Sequence, residues 1–275
     1  MSIKLAVFDL DHTLLLTGSR IAPEAAAGVA ALVADGLDVA LASARLDPSM
    51  QIVNDAIGVP LTRISYNGAL TTLADGTVVH EVGFQITPEL AGVLADFTAP
   101  THDGWGAIDV YTSDDRWLAY GNPEGIAREE RDTWCTADQH GDQPNPEELV
   151  GLRCRKIMCE GPAALIPALE EAVGRIDGLN LTHSGMELHD IWPSDSGKGN
   201  ALAALCRHLG LGPHEVIACG DSATDVPMLQ WAGTSIGVQP CAPAVTEVAT
   251  HLVTGAGGPE LFAAVRRLAG LPPRP

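Results

Sequence analysis

Positive charge is scarce in this sequence. Lysine and arginine together number 16 against 35 aspartates and glutamates, which gives a formal net charge of -19 at pH 7. A chain so acidic repels the phosphates of nucleic acids and of anionic lipid head groups. We therefore expect no nucleic-acid partner and no membrane partner. An anionic ligand would need positive groups placed locally.

Long apolar runs and paired cysteines are also missing. No stretch approaches the roughly 20 apolar residues that span a bilayer, and the N-terminal apolar run is interrupted by Asp9 and Asp11 without the small-residue cleavage site of a secretory signal. The six cysteines form no CxxC pair. We interpret them as buried free thiols, with structural zinc and disulfides as the alternatives. We expect a cytoplasmic protein that is a monomer or a small homo-oligomer.

The composition is that of a folded protein, with 46% hydrophobic and 19% charged residues over 275 positions. This length is enough for one large domain or two moderate ones. Near the N-terminus, buried-strand patterns alternate with helical patterns, and the alternation resumes after Pro193. This rhythm predicts a doubly wound, mostly parallel, Rossmann-like α/β sheet, whose ligand site lies at the carboxyl ends of the strands.

The middle third of the chain follows a different pattern. After a predicted hairpin at 70–81, helical stretches, the first of them predicted at 88–97, lie among strand candidates, the last of them at 186–192. The polar segment 132–149 is predicted to be a loop. These features indicate an inserted α+β domain. The predicted core domain comprises residues 1–84 and 193–275, and the predicted insert comprises 85–192.

Two carboxylates follow the first predicted strand. Alternation in an extended segment places the side chains of Asp9 and Asp11 on the same side. One of them can then attack a substrate while the other transfers a proton. The alternative is that Asp11 only caps the next turn.

Polar groups also stand at the ends of other predicted elements. The hydroxyl of Ser43 and the backbone amides after it can hold phosphate oxygens. Asp221 and Asp225 follow a buried run, where a helix-capping turn is the alternative interpretation, and Lys198 begins a helix, where a solvated lysine is the alternative.

If Asp9, Asp11, Asp221 and Asp225 converge in one crevice, their negative charges need a cation beside them. A hard divalent ion with oxygen ligands meets this need, and Mg²⁺, which keeps several waters, suits so few protein carboxylates.

Considered together, these motifs resemble those of the haloacid dehalogenase superfamily. The resemblance rests on DxDxT from Asp9, on Ser43, on Lys198 and on GDxxxD from Gly220, in this order, and it covers nearly the whole chain. The large insert and the segment SYNGA at 65–69 are similar to the Cof-type phosphatase branch. In that branch an α+β cap, called type IIB, folds over the active site.

The resemblance implies a role for each residue of these motifs. Asp9 would attack phosphorus and become an aspartyl-phosphate, while Asp11 would protonate the leaving oxygen and then activate water. The phosphoryl group would be held by Leu10, Ser43, Ala44, Lys198 and Thr224. Mg²⁺ would be bound by Asp9, by the backbone carbonyl of Asp11, by Asp221 and, directly or through another ligand, by Asp225. Contacts to the substrate or the cap would involve His12, Arg45 and Asn67.

Three positions depart from the pattern of the superfamily. His12 replaces a glycine and puts a ring near the entrance, although a bystander role is the alternative to substrate contact. Ala44 replaces a glycine, which matters only if that position has a positive φ. Thr224 stands in place of the usual asparagine.

The sequence therefore predicts a Mg²⁺-dependent phosphatase of small phosphorylated metabolites. Sugar phosphates are the first expectation, and FMN or pyridoxal phosphate follow. A phosphomutase or phosphotransferase with the same intermediate is an alternative, as is a non-catalytic metabolite-binding protein.

Overall fold

The computed structural model of the chain describes residues 2–16, 20–101, 104–183 and 187–274. They form two compact units, Met1–Glu81 with Gly197–Pro275 (unit 1) and Val82–Ser196 (unit 2). Among the described residues, every helix is too short or too polar to cross a lipid bilayer.

The strands, in chain order, are β1 (Leu5–Asp9), β2 (Asp38–Ala42), β3 (Thr62–Ser65), β4 (Leu70–Thr72), β5 (Val78–Glu81), β6 (Phe84–Gln85), β7 (Ala107–Thr112), β8 (Trp117–Gly121), β9 (Gln139–Gly141), β10 (Arg153–Glu160), β11 (Leu179–His183), β12 (Leu188–Pro193), β13 (Val216–Gly220), β14 (Thr234–Gln239) and β15 (His251–Thr254).

The α-helices are α1 (Pro23–Ala34), α2 (Asp47–Ile57), α3 (Pro88–Phe97), α4 (Pro123–Thr133), α5 (Pro146–Leu149), α6 (Ile166–Gly174), α7 (Lys198–Leu209), α8 (Val226–Trp231), α9 (Pro243–Val248) and α10 (Pro259–Ala269). Most of them carry proline at one of their first two positions, where the missing N–H is not needed and the fixed φ already suits a helix.

Unit 1 contains an eight-stranded sheet in the order β15-β14-β13-β1-β2-β3-β4-β5. The strands from β15 to β3 are parallel, and β4 and β5 add an antiparallel edge. Because β1 pairs with β2 on one side and with β13 on the other, the chain order reverses at β1. Such a switch point is where ligands bind in sheets of this kind.

Helices cover both faces of this sheet. Leu5 and Val7 of β1 pack with residues of α7, α8 and α9, while Phe8 on the opposite face lies 6.2 Å, between ring centroids, from Phe262 of α10. Strands buried on both faces read as continuous apolar runs, as β1 and β13 do. The predicted α/β fold class is confirmed.

Unit 2 contains a second sheet in the order β11-β12-β10-β7-β8-β9, with β6 paired to one end of β10. Its pairings are antiparallel except that of β8 with β9. Helices α3, α5 and α6 contribute apolar side chains to a core on the face that carries Val110, Ile157 and Ile191.

The prediction of a loop at 132–149 is wrong in part, because β9 and α5 form within this segment. Helix α4, which ends at Thr133, was not predicted. The first residue of the strand predicted at 186–192 lies outside the described residues, and the strand found there is β12, which begins at Leu188.

Candidate active site

Three polar side chains meet at the carboxyl edge of the sheet of unit 1. Asp9 is the last residue of β1, Ser43 directly follows β2, and Asp221 directly follows β13. Because these three strands are adjacent and parallel, their ends bring residues that are far apart in sequence to one place.

Lys198 joins two of the carboxylates. Its Nζ lies 2.5 Å from Oδ1 of Asp9 and 2.6 Å from Oδ1 of Asp225. All three side chains are buried, with Lys198 only 2% exposed. A lysine so buried is stable as a cation only when paired, and two aspartates supply the opposite charge.

Asp225 is also bound from the other side. Its Oδ2 accepts hydrogen bonds from the backbone N–H groups of Asp221 and Ser222, at 3.0 and 2.9 Å, and from the Ser222 hydroxyl at 2.9 Å. Both oxygens of this carboxylate are thus engaged by protein donors. Asp225 closes the turn after β13 and orients Lys198.

Asp221 is held by Thr13, whose hydroxyl donates to Oδ1 of Asp221 at 2.9 Å. Thr13 is fully buried and belongs to the loop after β1. It is a site residue to which sequence reasoning gave no role, although it lies within the DxDxT motif.

Burial and neighbouring charges shift the pKa values of Asp9, Asp221 and Lys198. Burial raises the pKa of Asp9 well above its ordinary value, and the charge of Asp225 raises it further, against the opposing effect of Lys198. Burial likewise raises the pKa of Asp221. For Lys198, burial alone would lower the pKa, but the charges of Asp225 and Asp9 raise it above the ordinary value. The site favours a positive charge beside its carboxylates.

The acidic groups form a metal-sized cluster. One oxygen each from Asp9, Asp221 and Asp225 lies within 4.8 Å of the others. With Asp11 added, the site has four carboxylates and two cationic side chains, Lys198 and Arg45. Two negative charges of the ionised set are therefore not balanced. A divalent cation with oxygen ligands would balance it.

The side chain of Asp11 pairs with Arg45. Its two oxygens accept hydrogen bonds from Nε and Nη2 of Arg45, at 2.9 and 2.7 Å. Arg45, for which a contact to the substrate or the cap is predicted, binds Asp11 in the structure. The side chain of Asp11 is therefore not part of the metal-sized cluster.

Residues with left-handed backbone lie around the site. His12 has φ 61°, and Tyr66, Asn67 and Gly68 have φ 50°, 53° and 92°. The N–H of Tyr66 donates to the carbonyl of Arg45 at 2.8 Å, and that of Asn67 donates to the carbonyl of Ser43 at 2.9 Å. This bent segment fixes the loop that follows β2.

Close backbone contact explains one glycine of that segment. A Cβ on Gly68 would lie 2.4 Å from the carbonyl oxygen of Gly197, so the segment can touch the residue that precedes Lys198 only without a side chain there. The Oδ1 atom of Asn67 is buried and has no hydrogen-bond partner among the described residues.

The whole chain resembles known proteins. A sequence model of the haloacid dehalogenase-like hydrolases matches residues 6–256. The chain belongs to this family. The resemblance to that superfamily and to its Cof-type branch is thereby confirmed.

Curated relatives that match at least 85% of this hydrolase are named phosphatases. The HMP-PP phosphatase of Serratia proteamaculans is 27% identical over 85% of this chain and 82% of that protein. The 5-amino-6-(5-phospho-D-ribitylamino)uracil phosphatase of Bacillus subtilis is 25% identical, over 86% of this chain and 88% of that protein. The prediction of an enzyme of the phosphoric monoester hydrolase type is confirmed.

A solved structure matches the fold of this hydrolase over nearly its full length. A haloacid dehalogenase-like hydrolase from Bacteroides thetaiotaomicron superposes with a TM-score of 0.82 at 20% sequence identity, over 96% of this chain and 99% of that one. At this identity the match concerns the fold.

The remaining predicted residues of the hydrolase site lie around the cluster. Leu10 is buried, Ala44 is half-buried and does not have the positive φ that would require glycine, and His12 is exposed. Thr224 is exposed, and its hydroxyl lies 2.8 Å from that of Ser222. Thr224 is thus the predicted phosphate contact that faces solvent.

Proposed function

We propose that this protein is a Mg²⁺-dependent phosphatase that hydrolyses small phosphorylated metabolites through an aspartyl-phosphate on Asp9. The observation that carries the proposal is the buried Asp9–Lys198–Asp225 chain at the switch point of the sheet. It fixes one oxygen of Asp9 in place, and phosphoryl transfer depends mainly on positioning and charge neutralisation.

Two steps complete the reaction. In the first, a carboxylate oxygen of Asp9 forms a bond to phosphorus while the bond to the leaving oxygen breaks, and Asp11 gives that oxygen a proton. In the second, water attacks the phosphorus of the aspartyl-phosphate, its proton passes to Asp11, and the carboxylate of Asp9 is released. Inorganic phosphate is the product, and the enzyme returns to its starting state.

The phosphoryl oxygens need donors throughout. We assign this role to Lys198, to the hydroxyl of Ser43, and to the backbone N–H groups of Leu10 and Ala44. Lys198 is suitable because Asp9 and Asp225 accept from two of its three N–H donors, and the third can be given to a phosphoryl oxygen.

The residues present are suitable for Mg²⁺. Asp9 and Asp221 would bind it through carboxylate oxygens and Asp11 through its backbone carbonyl, whereas Asp225, whose oxygens already accept four hydrogen bonds, would orient the others. When bound, the ion would neutralise the excess negative charge and keep Asp9 ionised for attack.

The substrate class follows from chemistry and from the relatives. The proteins to which this chain is similar are named as phosphatases of HMP-PP and of 5-amino-6-(5-phospho-D-ribitylamino)uracil. We propose a small phosphorylated sugar, sugar alcohol or heterocycle, with FMN and pyridoxal phosphate in the same group. We also propose that unit 2 is the cap domain of the enzyme and that the reaction takes place in the cytoplasm.

The test is hydrolysis of an aryl phosphate by the purified protein with Mg²⁺ and with EDTA. Asp9→Asn keeps the shape of the side chain and removes the nucleophilic charge, so we expect turnover to fall by at least about 10⁴-fold. The matched control is Asp38→Asn, an exposed aspartate at the start of β2, which should leave turnover unchanged.

Two results would contradict the proposal. Equal activity of the Asp9→Asn variant would exclude Asp9 as the nucleophile, and activity that survives EDTA would exclude a divalent cation. A panel of phosphorylated metabolites then identifies the substrate class by phosphate release. Isomerised sugar phosphate without free phosphate would instead identify a phosphotransferase.

A further inference from the structure

Arg45 and Asp11 form a two-pronged ion pair at the edge of the site. Nε of Arg45 donates to Oδ2 of Asp11 at 2.9 Å, and Nη2 donates to Oδ1 at 2.7 Å. The third guanidinium nitrogen, Nη1, lies 3.3 Å from the hydroxyl of Ser49. The side chain of Arg45 is 11% exposed and that of Asp11 is 37% exposed.

The backbone from which Arg45 projects is itself fixed. Its N–H donates to the hydroxyl of Ser43 at 3.2 Å, and its carbonyl accepts from the N–H of Tyr66 at 2.8 Å. The residue lies just before α2, whose first residue is Asp47. Because its backbone and its Nη1 atom are both restrained, Arg45 can hold a partner in one orientation.

The geometry of the pair determines how the carboxyl group of Asp11 is oriented. A guanidinium that donates to both oxygens of a carboxyl group occupies one lone pair on each oxygen and so fixes the plane of that group. Each carboxylate oxygen keeps a second lone pair that can accept a proton. Asp11 can therefore gain or lose a proton while Arg45 holds it in one plane.

We propose that Arg45 is a positioning residue that holds Asp11 as the general base for hydrolysis of the aspartyl-phosphate. This inference rests on the proposed function. In that step the water oxygen bonds to phosphorus, the bond from phosphorus to Asp9 breaks, and the water proton passes to an Asp11 oxygen while Arg45 stays on the carboxylate. Nε and Nη2 of Arg45 contact Asp11 and Nη1 contacts Ser49, so these contacts hold the guanidinium against the carboxylate.

The two steps can be separated with an aryl phosphate. An aryl oxide leaves without a proton, so formation of the aspartyl-phosphate, which kcat/KM reports, should not need Asp11 in place. Hydrolysis of the aspartyl-phosphate does need it. For Arg45→Gln we therefore expect kcat to fall by about 10- to 100-fold and kcat/KM to stay within about threefold, with KM falling alongside kcat.

Stopped-flow detection of the aryl alcohol gives a second measurement. When hydrolysis of the intermediate becomes slow, the first turnover should appear as a burst that matches the enzyme concentration, followed by a slow steady rate. Acid quench should trap the phosphorylated protein. Arg45→Lys keeps the charge but reaches only one oxygen, so its kcat should lie between those of the native protein and Arg45→Gln.

Arg63 supplies the matched control. It makes the same kind of fork with Asp47, with both contacts at 3.0 Å, and it does not touch Asp11. Arg63→Lys should change kcat and kcat/KM together or leave both unchanged, without a burst.

The outcomes separate the two proposals. A native protein without Mg²⁺-dependent turnover would remove the proposed function. A native protein with turnover, but with an Arg45→Gln variant in which kcat/KM falls, KM rises and no burst appears, would show that Arg45 binds the substrate and would overturn this inference alone.

Discussion

At the residue level, Gly220 shows how closely the site is built into the backbone. It ends β13, and a Cβ at this position would lie 2.6 Å from the Cβ of Asp225. Asp225 can turn back to the N–H groups of Asp221 and Ser222 only because this space is empty. The position of Lys198 therefore depends on the absence of one methyl group.

Gly220→Ala should displace Asp225 and loosen Lys198, lowering kcat for an aryl phosphate by at least about tenfold and the free energy of unfolding by ~1–3 kcal/mol. The control is Gly92→Ala within α3, where a Cβ meets no atom within 4 Å. That substitution should raise the free energy of unfolding by ~0.5–1 kcal/mol and leave kcat unchanged. Chemical denaturation and steady-state kinetics measure both; unchanged kcat in Gly220→Ala would contradict the expectation.

Single residues also show what the sequence could and could not predict about the site. Asp9, Lys198, Asp221 and Asp225 could be selected because strand ends and glycine-flanked turns are visible as patterns. The partner of Arg45 could not, because a long flexible side chain can reach many groups and the choice depends on three-dimensional packing. The left-handed φ of His12 was equally hidden, since nothing local requires it.

At the level of the element, the sheet of unit 2 buries charge on one face. Asp109 and Asp190 lie opposite Met158 in register, one residue away from Val110, Ile157 and Ile191 of the apolar core. Strand alternation places these two groups on different faces. One face is thus an ordinary hydrophobic core, and the other carries buried carboxylates.

Asp109 should make this sheet less stable at higher pH. Burial raises its pKa well above the ordinary 3.8, and the charge of Glu129 raises it further, against the hydrogen bond from Trp117 and the charge of Lys156. A carboxyl group whose pKa is raised in the folded protein stabilises the fold through its protonated form, and this contribution is fully present below pH 3.8, the ordinary pKa. This contribution is lost as the pH rises through the folded pKa.

Asp109→Asn keeps an acceptor for the Trp117 Nε1–H, which lies 2.7 Å away, and cannot ionise. At pH 8 we expect it to raise the free energy of unfolding by at least ~1 kcal/mol, since one pKa unit is worth about 1.4 kcal/mol. Near pH 4 the two proteins should be nearly equal. Urea unfolding at both pH values measures the difference, and a gain independent of pH would contradict the ionisation argument.

Elements with strong periodicity were the ones that the sequence predicted well. Helix α3 was predicted at 88–97 and forms at Pro88–Phe97, because a threonine cap, a first-turn proline and regular apolar positions agree. Helix α4 was missed because only three of its residues are buried, and β9 is a polar strand of three residues. Such segments acquire their structure from the sheet they join, α4 through contacts with β7 and β8 and β9 through pairing with β8. No local sequence pattern records these contacts.

At the level of the whole molecule, the net charge of -19 should make stability depend on salt. Self-repulsion of the folded chain weakens when ions screen it. We expect the melting temperature to rise when NaCl is increased from low concentration to about 0.15 M, with EDTA present to exclude divalent ions. KCl should give the same gain, and a falling melting temperature would mean that surface ion pairs outweigh the repulsion.

The pairing of β1 with β13 places Leu5 beside Val216. During synthesis, Asp9 emerges from the ribosome before its neighbours Lys198, Asp221 and Asp225, which follow only after about two hundred more residues have been translated. Strand β1, which carries Asp9, lacks its partner β13 during this time. Unit 2, whose residues are contiguous, can fold in the interval. A nascent chain stalled before β13 therefore lacks the assembled acidic site, so the proposed reaction cannot begin before β13 has been synthesised and has paired with β1.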